Sequence, residues 1–260
     1  MHGLPIGIKD LAETSGIKTT YGSLVYKSFF PKTDALIVKR IKEAGAIVIG
    51  KTNTPEFGAG AQTFNEVFGD TRNPYDTTKT CGRSSGGSAV ALATGMVPLA
   101  SGSDLGGSLR NPAAFCNVVG FRPSIGRVPT WPTVFGWSGL SVQGPMARTV
   151  ADTALLLSVI AGPDKRIATG LREPGGEFCK QLDRNFTGTR IAWSKNLGRY
   201  PVDKKVTKVC EEKRDVLTDL GAVVDETEPD FGGADEIFQT LRAWLSVSYT
   251  HLTLPTILLV

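Results

Sequence analysis

Apolar residues along this chain occur either in short runs or at helical spacing, and the two patterns alternate. The short runs predict buried strands, at 3–10 (GLPIGIKD), 46–50 (AIVIG), 97–104 (VPLASGSD), 189–194 (TRIAWS) and 222–226 (AVVDE). The helical spacing predicts helices, at 33–45, 85–95, 149–162, 203–221 and 233–244. Strands that alternate with helices indicate an α/β fold with a largely buried sheet.

Two of these helices carry more specific predictions. Thr33 or Asp34 is expected to cap the first helix, and Gly45 is expected to end it. In the helix at 203–221, one apolar stripe is expected to face inward, and it consists of Val206, Val209, Cys210, Leu217 and Leu220. Residues 163–188, rich in glycine, proline and charge, form the most loop-like stretch.

Composition narrows the classes of function. The formal charge is +4, from 29 basic and 25 acidic residues, and no cluster of Lys and Arg is of the kind that follows a phosphate backbone, so no direct nucleic-acid partner is expected. The chain has neither a signal-peptide pattern at its start nor an apolar run long enough to span a membrane. Its cysteines show no metal-ligand spacing, which predicts reduced thiols, a cytoplasmic location and no metal. They are Cys81, Cys116, Cys179 and Cys210.

Residues 45–52 (GAIVIGKT) match the phosphate-binding pattern G-x-x-x-x-G-K-[ST] letter for letter. The mechanism behind that pattern requires a strand before the first glycine and a flexible loop after it. Here Gly45 ends a predicted helix, and the four residues after it belong to a predicted strand. The match is therefore interpreted as a helix end followed by a strand, and no nucleotide site is expected.

The stretch 82–88 (GRSSGGS) contains G-x-S-x-G, the turn that carries the nucleophile of α/β-hydrolases. That serine requires a histidine late in the chain. The chain has two histidines, and neither fits, because His2 precedes the serine and His251 lies in the terminal segment 247–260, which is predicted to be non-native. A neutral lysine can activate a serine instead, and burial lowers the pKa of a lysine because it penalises the ammonium form. Lys9, at the end of an apolar strand, is the candidate, and a solvated lysine at a strand end is the alternative.

A second serine lies in the turn at 101–115 (SGSDLGGSLRNPAAF), which follows a predicted strand and enters a predicted helix at Ser108. The amides of Leu105, Gly106 and Gly107 can point toward one position, as in an oxyanion hole. A simple chain reversal is the alternative for a Gly-Gly-Ser turn. A buried lysine together with two serine turns is more specific than any one of these features, and it indicates a serine hydrolase that uses lysine.

These stretches resemble the amidase signature family of serine hydrolases. The resemblance covers residues 2–164 almost without a break, and residues 187–246 less specifically, and its core reads SSGGSAVALATGMVPLASGSDLGGSLRNPAAFCNVVGFRPSIGRVP. It implies an α/β fold with a mixed sheet covered by helices on both faces, here truncated at both ends. It also implies hydrolysis of a carboxylic acid amide to an acid and an amine or ammonia, without a metal or cofactor.

The resemblance assigns the family's Ser-cisSer-Lys triad residue by residue. Lys9 corresponds to the base, Ser84 to the bridging serine that follows a cis peptide bond, and Ser108 to the nucleophile that forms the acyl-enzyme. The oxyanion-hole amides correspond to Leu105, Gly106, Gly107 and Ser108. Supporting positions near the triad correspond to Ser85, Ser103, Asp104 and Arg110. This chain departs from the family pattern at Arg83, where the family has glycine.

Three functions remain open at this point. A stand-alone amidase for a small-molecule amide is favoured, because GSDLGGSLRNPAAFCNVVGFRPS is more similar to the general amidases. The second is the A subunit of a tRNA-dependent amidotransferase, which releases ammonia from glutamine, and the third is a catalytically inactive fragment. The sequence leaves open whether the chain assembles as a homodimer.

The resemblance also gives a domain prediction. Residues 1–246 are expected to form a partial amidase catalytic domain. Residues 247–260 begin with VSYTHLTLPT, which resembles the translation of a transposon-type sequencing adapter, and they are predicted to be a non-native tail. An edge strand is the alternative for this segment.

Overall fold

The computed structural model describes residues 1–180 and 182–257. For residues 248–250 and 252–257 it describes only the backbone. The chain divides into two compact units, Met1–Leu182 and Asp183–Val260. The main sheet and every predicted site residue lie in the first unit. The prediction of one catalytic domain over residues 1–246 stays a prediction.

Strands and helices are interspersed along the chain, as the hydrophobic pattern predicts, although consecutive strands and consecutive helices also occur. The strands are β1 (Pro5–Lys9), β2 (Ile47–Thr52), β3 (Phe64–Asn65), β4 (Gly69–Asp70), β5 (Leu99–Asp104), β6 (Val119–Gly120), β7 (Val142–Ala147), β8 (Arg190–Trp193) and β9 (Val223–Glu226). The helices are α1 (Leu36–Glu43), α2 (Gly86–Ala93), α3 (Arg110–Phe115), α4 (Val150–Ile160), α5 (Lys204–Glu211), α6 (Arg214–Asp219) and α7 (Ala234–Ile257).

The main sheet has the strand order β2-β1-β5-β7-β6. Strand β1 is parallel to β2 and β5, whereas β7 is antiparallel to β5 and β6. The sheet is therefore mixed, as predicted. Parallel strands need apolar cover on both faces, and β1 lies between two parallel neighbours, so its residues are buried on both sides.

Strand β1 shows how the two faces are filled. Ile6 and Ile8 are fully buried and pack into one apolar cluster with residues of α1 and α4, such as Ile41 and Leu156. A second cluster contains residues of α2, β5, α3 and β7. Because successive strand residues point to opposite faces, Lys9 points away from the first cluster. The helices thus cover both faces, which confirms the predicted fold class.

Helix α2 approaches the sheet so closely that only glycine fits at its start. A Cβ atom placed on Gly87 would lie 2.3 Å from the backbone nitrogen of Asn53, far inside van der Waals contact. This close approach brings Ser84 and Ser85, which immediately precede α2, against the end of the sheet. The glycines of GRSSGGS therefore serve the packing of a helix that carries two serines.

The start of α1 differs from its prediction. The residue before the helix is Ala35, and no side chain caps it. Asp34 instead accepts hydrogen bonds from the Ser15 backbone N–H and from Lys42 Nζ. The carboxylate is engaged by the loop at Ser15, so it is not available to the helix amides. At the other end Gly45 has a φ of +81°, and β2 follows, which confirms a helix end rather than a phosphate-binding loop.

The second unit contains β8 and β9, which pair in parallel, with α5 and α6 between them in sequence. The predicted single helix at 203–221 is thus two helices. The predicted inward stripe is wrong: Val206, Val209 and Leu220 are each more than half exposed. Two strands of four residues offer too little surface to cover the apolar side of both helices.

The last helix, α7, continues to Ile257. The alternative of an edge strand at 247–256 is therefore wrong for the described backbone. The prediction that 247–260 is a non-native tail stays a prediction, and its last three residues, 258–260, lie outside the described residues. Within the described part of the chain, no helix combines the length and the apolar composition needed to cross a membrane.

The contact at Gly87 predicts a large effect of a small substitution. Gly87→Ala would place a methyl group against the Asn53 backbone, and we expect it to lower the free energy of unfolding by about 3 kcal/mol. Urea unfolding measures this. Gly50→Ala is the matched control, since a Cβ on Gly50 meets no atom within 4 Å. Equal midpoints for the two variants would contradict the packing described here.

Candidate active site

Lys9 is a buried amine surrounded by hydroxyl groups. It ends β1, its relative exposure is 2%, and its Nζ lies 2.7 Å from Ser84 Oγ, 2.9 Å from Ser85 Oγ and 2.9 Å from Ser103 Oγ. The first two serines precede α2, and the third belongs to β5, the neighbour of β1. Helix docking and strand pairing therefore bring four predicted site residues to one point.

Burial lowers the pKa of Lys9 from 10.5 to about 7, and the negative charge of Asp104 opposes this shift in part. The physical cause is the loss of hydration, which penalises the ammonium form more than the neutral amine. A pKa near neutrality gives this lysine a substantial neutral fraction at pH 7. A surface lysine would be fully protonated there and could not accept a proton.

The three serines around Lys9 are not equivalent. The Ser85 hydroxyl donates to the Ser103 carbonyl oxygen at 3.2 Å, and Ser85 Oγ accepts from the Ser103 N–H at 3.2 Å. Its proton is thus committed, and toward Lys9 it acts as an acceptor. Ser84 Oγ has Lys9 as its hydrogen-bond partner among the described residues. Ser84 is therefore able to donate its own proton to a neutral lysine.

Ser108 lies in the turn between β5 and α3, and Asp104 organises that turn. The Asp104 carboxylate is fully buried and accepts from the Gly107 N–H at 2.8 Å and the Leu109 N–H at 3.2 Å. Arg110 binds it through two nitrogens at 3.0 Å each, and Arg122 lies at 3.1 Å. Burial by itself would raise the pKa of Asp104, but the Arg110 guanidinium and the two amides lower it to about 2. The carboxylate stays charged and ties the turn together.

The predicted oxyanion amides divide into two groups. Gly107 has a φ of +110°, which glycine adopts without strain, and its N–H is already donated to Asp104. The N–H groups of Leu105, Gly106 and Ser108 have no partner within the described part of the chain. Three amides of one turn are thus available to a ligand.

The Ser108 side chain is 7% exposed and makes no hydrogen bond with any described residue. In particular, no hydrogen bond joins Ser108 Oγ to Ser84 Oγ in the structure. The structure thus brings Lys9 and Ser84 into contact, and it places Ser108 in an adjacent turn.

One prediction about this region is wrong. The peptide bond between Arg83 and Ser84 is trans, and the cis bond that the described residues contain is Trp131–Pro132. A cis bond before a residue other than proline costs about 3 kcal/mol. With the trans bond, Ser84 Oγ already lies 2.7 Å from Lys9 Nζ, so this contact does not require the costly isomer.

Arg83, the departure from the family pattern, connects the two serine turns. Its Nη1 donates to the Gly106 carbonyl oxygen. Gly106 lies in the turn that carries the free amides. The Arg83 guanidinium, which belongs to the segment before α2, therefore holds the Gly106 carbonyl in place. The side chain therefore fits beside the site and forms a direct contact between the Ser84 segment and the Ser108 segment.

A second lysine, with a side chain that is only 9% exposed, escaped the sequence analysis. Lys51 Nζ lies 3.7 Å from Asp10 Oδ1 and 3.1 Å from both Thr14 Oγ1 and Thr19 Oγ1, and it also contacts the Ala12 carbonyl oxygen. Burial lowers its pKa to about 8. The sequence signal for Lys51 is a charged residue next to an apolar strand. It was not recognised, because the same lysine belongs to the match with the phosphate-binding pattern. Lys51 anchors the segment that follows Lys9.

The cysteines are unpaired, two of them buried (Cys81 and Cys116) and two exposed (Cys179 and Cys210). Over the described ranges, no group of three or more His, Cys, Asp or Glu side chains is placed to hold a metal ion. The expectation that no metal is needed stays a prediction.

Comparison with known proteins decides the family. The family model Amidase matches residues 1–249. The chain belongs to this amidase family. The solved structure of a bacterial aryl acylamidase of the amidase signature family has a TM-score of 0.81 at 35% identity, over 88% of this chain and 48% of that one. The peptide amidase from Stenotrophomonas maltophilia has a TM-score of 0.81 at 34% identity, over 92% of this chain and 51% of that one.

Among curated relatives, the A subunit of Glutamyl-tRNA(Gln) amidotransferase from Alkaliphilus metalliredigens is 44% identical over 227 residues, which is 87% of this chain and 46% of the relative. An acylamidase from Rhodococcus erythropolis is 38% identical over 236 residues, 91% of this chain and 50% of the relative. The chain thus spans about half the length of the proteins it matches. One of these relatives is a subunit of Glutamyl-tRNA(Gln) amidotransferase, an enzyme whose name includes a tRNA. The expectation that this chain has no nucleic-acid partner therefore stays a prediction.

The buried Asp104 predicts a stability effect. Asp104→Asn removes the charge that faces Arg110 and Arg122, and we expect it to lower the free energy of unfolding by about 3 kcal/mol at pH 7. Because folding lowers the pKa of this carboxyl from 3.8 to about 2, its contribution is present above pH 3.8 and is lost as the pH falls toward 2.

Chemical denaturation at several pH values measures the difference between Asp104→Asn and the parent chain. Asp70→Asn is the control, since Asp70 forms an ion pair with Arg72 in which both side chains are more than half exposed, and it should leave the midpoint unchanged. An Asp104→Asn variant as stable as the control would show that the carboxylate does not hold the turn.

Proposed function

We propose that this chain carries the catalytic centre of an amide hydrolase in which Ser108 is the nucleophile, Ser84 relays the proton and Lys9 is the base. The observation that carries the proposal is the buried Lys9 amine, with a pKa near 7, at 2.7 Å from Ser84 Oγ. Membership of the amidase family supports the same chemistry. A lysine of this kind in a cluster of serines has no evident purpose in folding, because its burial costs free energy.

The number of hydrogen-bonding groups around Lys9 is compatible with the proposed direction of proton transfer. A neutral lysine amine has two N–H groups and one lone pair, and three hydroxyls surround Lys9 Nζ. Since the Ser85 proton is committed to a carbonyl, Ser85 accepts from the lysine. The second N–H and the lone pair are then shared between Ser103 and Ser84, and the proposed relay takes the arrangement in which the N–H goes to Ser103 and the Ser84 hydroxyl donates to the lone pair.

The acylation step follows from this arrangement. Ser108 Oγ attacks the amide carbonyl carbon, its proton passes to Ser84, and the Ser84 proton passes to Lys9. The C–N bond breaks as Ser84 returns a proton to the leaving nitrogen, and Lys9 restores the Ser84 hydroxyl. Water then attacks the acyl-enzyme, its proton passes through Ser84 to Lys9, and a proton returns through Ser84 to Ser108 Oγ as the acid leaves. The Ser84–Ser108 hydrogen bond is expected to form with substrate bound, because catalytic hydrogen bonds in ligand-free enzymes are often long.

The free amides of the Ser108 turn supply the electrostatic part of the mechanism. Negative charge develops on the carbonyl oxygen during attack, and preorganised N–H groups stabilise it. Leu105, Gly106 and Ser108 have such amides, while Asp104 holds the Gly107 amide and with it the geometry of the turn. Ser85 and Ser103 hold Lys9, and Arg110 holds Asp104, so the supporting positions act through the residues they bind.

We propose a small-molecule amide as the substrate and the cytoplasm as the location. A glutaminase function is the second candidate, because the Glutamyl-tRNA(Gln) amidotransferase chain from Alkaliphilus metalliredigens is 44% identical. Ammonia release from glutamine, measured with and without added amidotransferase partner proteins, separates the two. An inactive fragment would neither release ammonia nor react with a serine-directed reagent. A homodimer stays a proposal for the assembly.

The nucleophile assignment predicts covalent labelling at one residue. A fluorophosphonate should modify Ser108 of the full chain, since the reagent phosphonylates a serine that a neighbouring base activates. Mass spectrometry of the peptide identifies the modified residue. Ser108→Ala should abolish labelling, whereas Ser138→Ala, an exchange in a loop outside the site, should leave it intact. Labelling that persists in Ser108→Ala would exclude Ser108 as the nucleophile.

The Lys9 assignment predicts a pH dependence of the labelling rate. Only neutral Lys9 accepts a proton, so the rate should rise with pH through an apparent pKa of about 7 and fall about tenfold per unit below it. Lys9→Arg should label at least 100-fold more slowly, because an arginine does not become neutral. A rate independent of pH between about 5 and 9 would contradict the role of Lys9 as the base.

A further inference from the structure

Lys51 is a largely buried amine that the proposed reaction does not use. It lies on β2 and is paired with Ile8 of β1, while the next pair in the register joins Lys9 to Thr52. Successive residues of a strand point to opposite faces, so Lys51 shares the face of Ile8 and Lys9 points to the other face. The two amines are therefore close in the sheet and have separate surroundings.

The groups in contact with Lys51 Nζ are all hydrogen-bond acceptors. The Thr14 hydroxyl donates to the Ala12 carbonyl oxygen at 3.1 Å, and the Thr19 hydroxyl donates to the Ile17 carbonyl oxygen at 3.2 Å. Both hydroxyl protons are thus committed, so the two hydroxyl oxygens, each 3.1 Å from Lys51 Nζ, accept from it. The Ala12 carbonyl oxygen is the third acceptor. An ammonium has three N–H groups, one for each of these acceptors.

The same count disfavours a neutral amine at Lys51. A neutral amine has two N–H groups and a lone pair, so its lone pair would face one of the three acceptors. Lys9 differs, because the Ser84 hydroxyl is able to donate to it. Burial lowers the pKa of Lys51 to about 8, and the negative charge of Asp10, whose Oδ1 lies 3.7 Å from Nζ, opposes this shift. Lys51 is therefore mostly charged at pH 7.

Asp10 connects this ammonium to the end of β1. It follows Lys9 directly, and its buried Oδ2 accepts from the Thr20 N–H at 3.0 Å and from the Thr20 hydroxyl at 2.5 Å. Its Oδ1 has no hydrogen-bond partner among the described residues and depends on Lys51 for a counter-charge. Burial raises the pKa of Asp10, and Thr20 and Lys51 oppose this shift. Removing one partner of a buried ion pair is strongly unfavourable, so Lys51 restrains Asp10.

The segment that Lys51 binds also borders the bridging serine. All of its partners lie within residues 10–19, directly after Lys9. Leu11 belongs to this segment, and a Cβ atom built on Gly58 would lie 2.7 Å from Leu11 Cδ1 and 3.8 Å from Ser84 Oγ. Leu11 and Ser84 thus approach the same glycine. A displacement of residues 10–19 would therefore disturb both sides of the contact between Lys9 and Ser84.

From these observations we infer that Lys51 is a positioning residue for the contact between Lys9 and Ser84, and that its ammonium acts as a tethered monovalent cation that holds residues 10–19. The inference rests on the proposed function, because this contact serves catalysis only if Lys9 is the base. It deepens that function by giving the two lysines opposite tasks. Lys9 exchanges a proton during the reaction, whereas Lys51 keeps its protons and holds the chain.

The first test separates the charge of Lys51 from its volume. Lys51→Met keeps an unbranched apolar stem and has no N–H donor. We expect fluorophosphonate labelling of Ser108 at pH 7 to slow about 100-fold, an effect that a small misplacement of catalytic groups can have. The apparent pKa of the labelling rate should rise above its parent value of about 7, because a displaced segment admits water to Lys9. A merely structural loss would lower the labelled fraction and leave this pKa unchanged.

Lys39→Met is the matched control. Lys39 pairs with Glu43 on α1, and both side chains are more than half exposed, so this variant should keep the rate and the apparent pKa of the parent chain. Thermal unfolding shows whether each variant is folded. A folded Lys51→Met chain that labels like the control would overturn the positioning role.

The second test returns the cation without its tether. Lys51→Ala leaves space for ethylammonium, which supplies the three N–H donors that the acceptors require. Ethylammonium chloride should raise the thermal midpoint of this variant with increasing concentration, as a ligand of the folded chain does, and should accelerate labelling at least about tenfold. Tetramethylammonium chloride is the control, since it has the same charge and no N–H group. Equal responses to the two salts would overturn the cation role.

A measurement on the parent chain does not depend on the folding of any variant. Nitrogen NMR with isotope-labelled lysine should show three protons on Lys51 Nζ at pH 7, and contacts to the Thr14 and Thr19 side chains identify its signal. A neutral amine at Lys51 under these conditions would overturn the inference.

The inference and the proposed function fail separately. Labelling of Ser108 that Lys51→Met leaves intact overturns the positioning role and leaves the hydrolase standing. Absence of labelling in the parent chain overturns the hydrolase, and a thermal midpoint that still responds to ethylammonium then reduces Lys51 to a structural cation.

Discussion

The burial of one amine among three hydroxyl groups is the interaction on which the site depends. Removing Lys9 from water is unfavourable for its charged form, and this cost is what brings its pKa from 10.5 to about 7. The hydroxyls of Ser84, Ser85 and Ser103 satisfy the neutral amine without adding a charge that would restore the ammonium. A carboxylate in direct contact would have raised the pKa again and kept the amine protonated.

Strand β5 connects Lys9 to the turn that contains Ser108. Ser101 Oγ accepts the backbone N–H of Lys9, Ser103 Oγ contacts Lys9 Nζ, and Asp104 holds the turn that contains Ser108. Because all three residues belong to one strand, the pairing of β1 with β5 sets the spacing between Lys9 and the turn that contains Ser108. The close packing of α2, which Gly87 permits, then brings Ser84 against Lys9.

The hydrophobic pattern predicted the α/β fold with a buried sheet, because strands and helices each have a local signature, whereas the mixed sheet and the residues around Lys9 were predicted from the family motifs. It did not predict the splitting of the helix at 203–221 or its exposed stripe, because periodicity shows which residues share a face and not whether anything covers it. It also missed Lys51. The environment of this lysine arises from residues distant in sequence, such as Asp10, and no single stretch encodes it.

Arg83 shows how a departure from a family pattern can be accommodated. Glycine at this position leaves space, whereas arginine supplies a donor that reaches the Gly106 carbonyl oxygen. A peptide whose carbonyl is held from one side has its neighbouring N–H groups fixed in direction, which is what stabilising a developing oxyanion requires. Since Asp104 fixes the same turn through the Gly107 N–H, the turn is held at both its carbonyl and its amide side. In this chain the segment that carries Ser84 therefore also restrains the turn that carries Ser108.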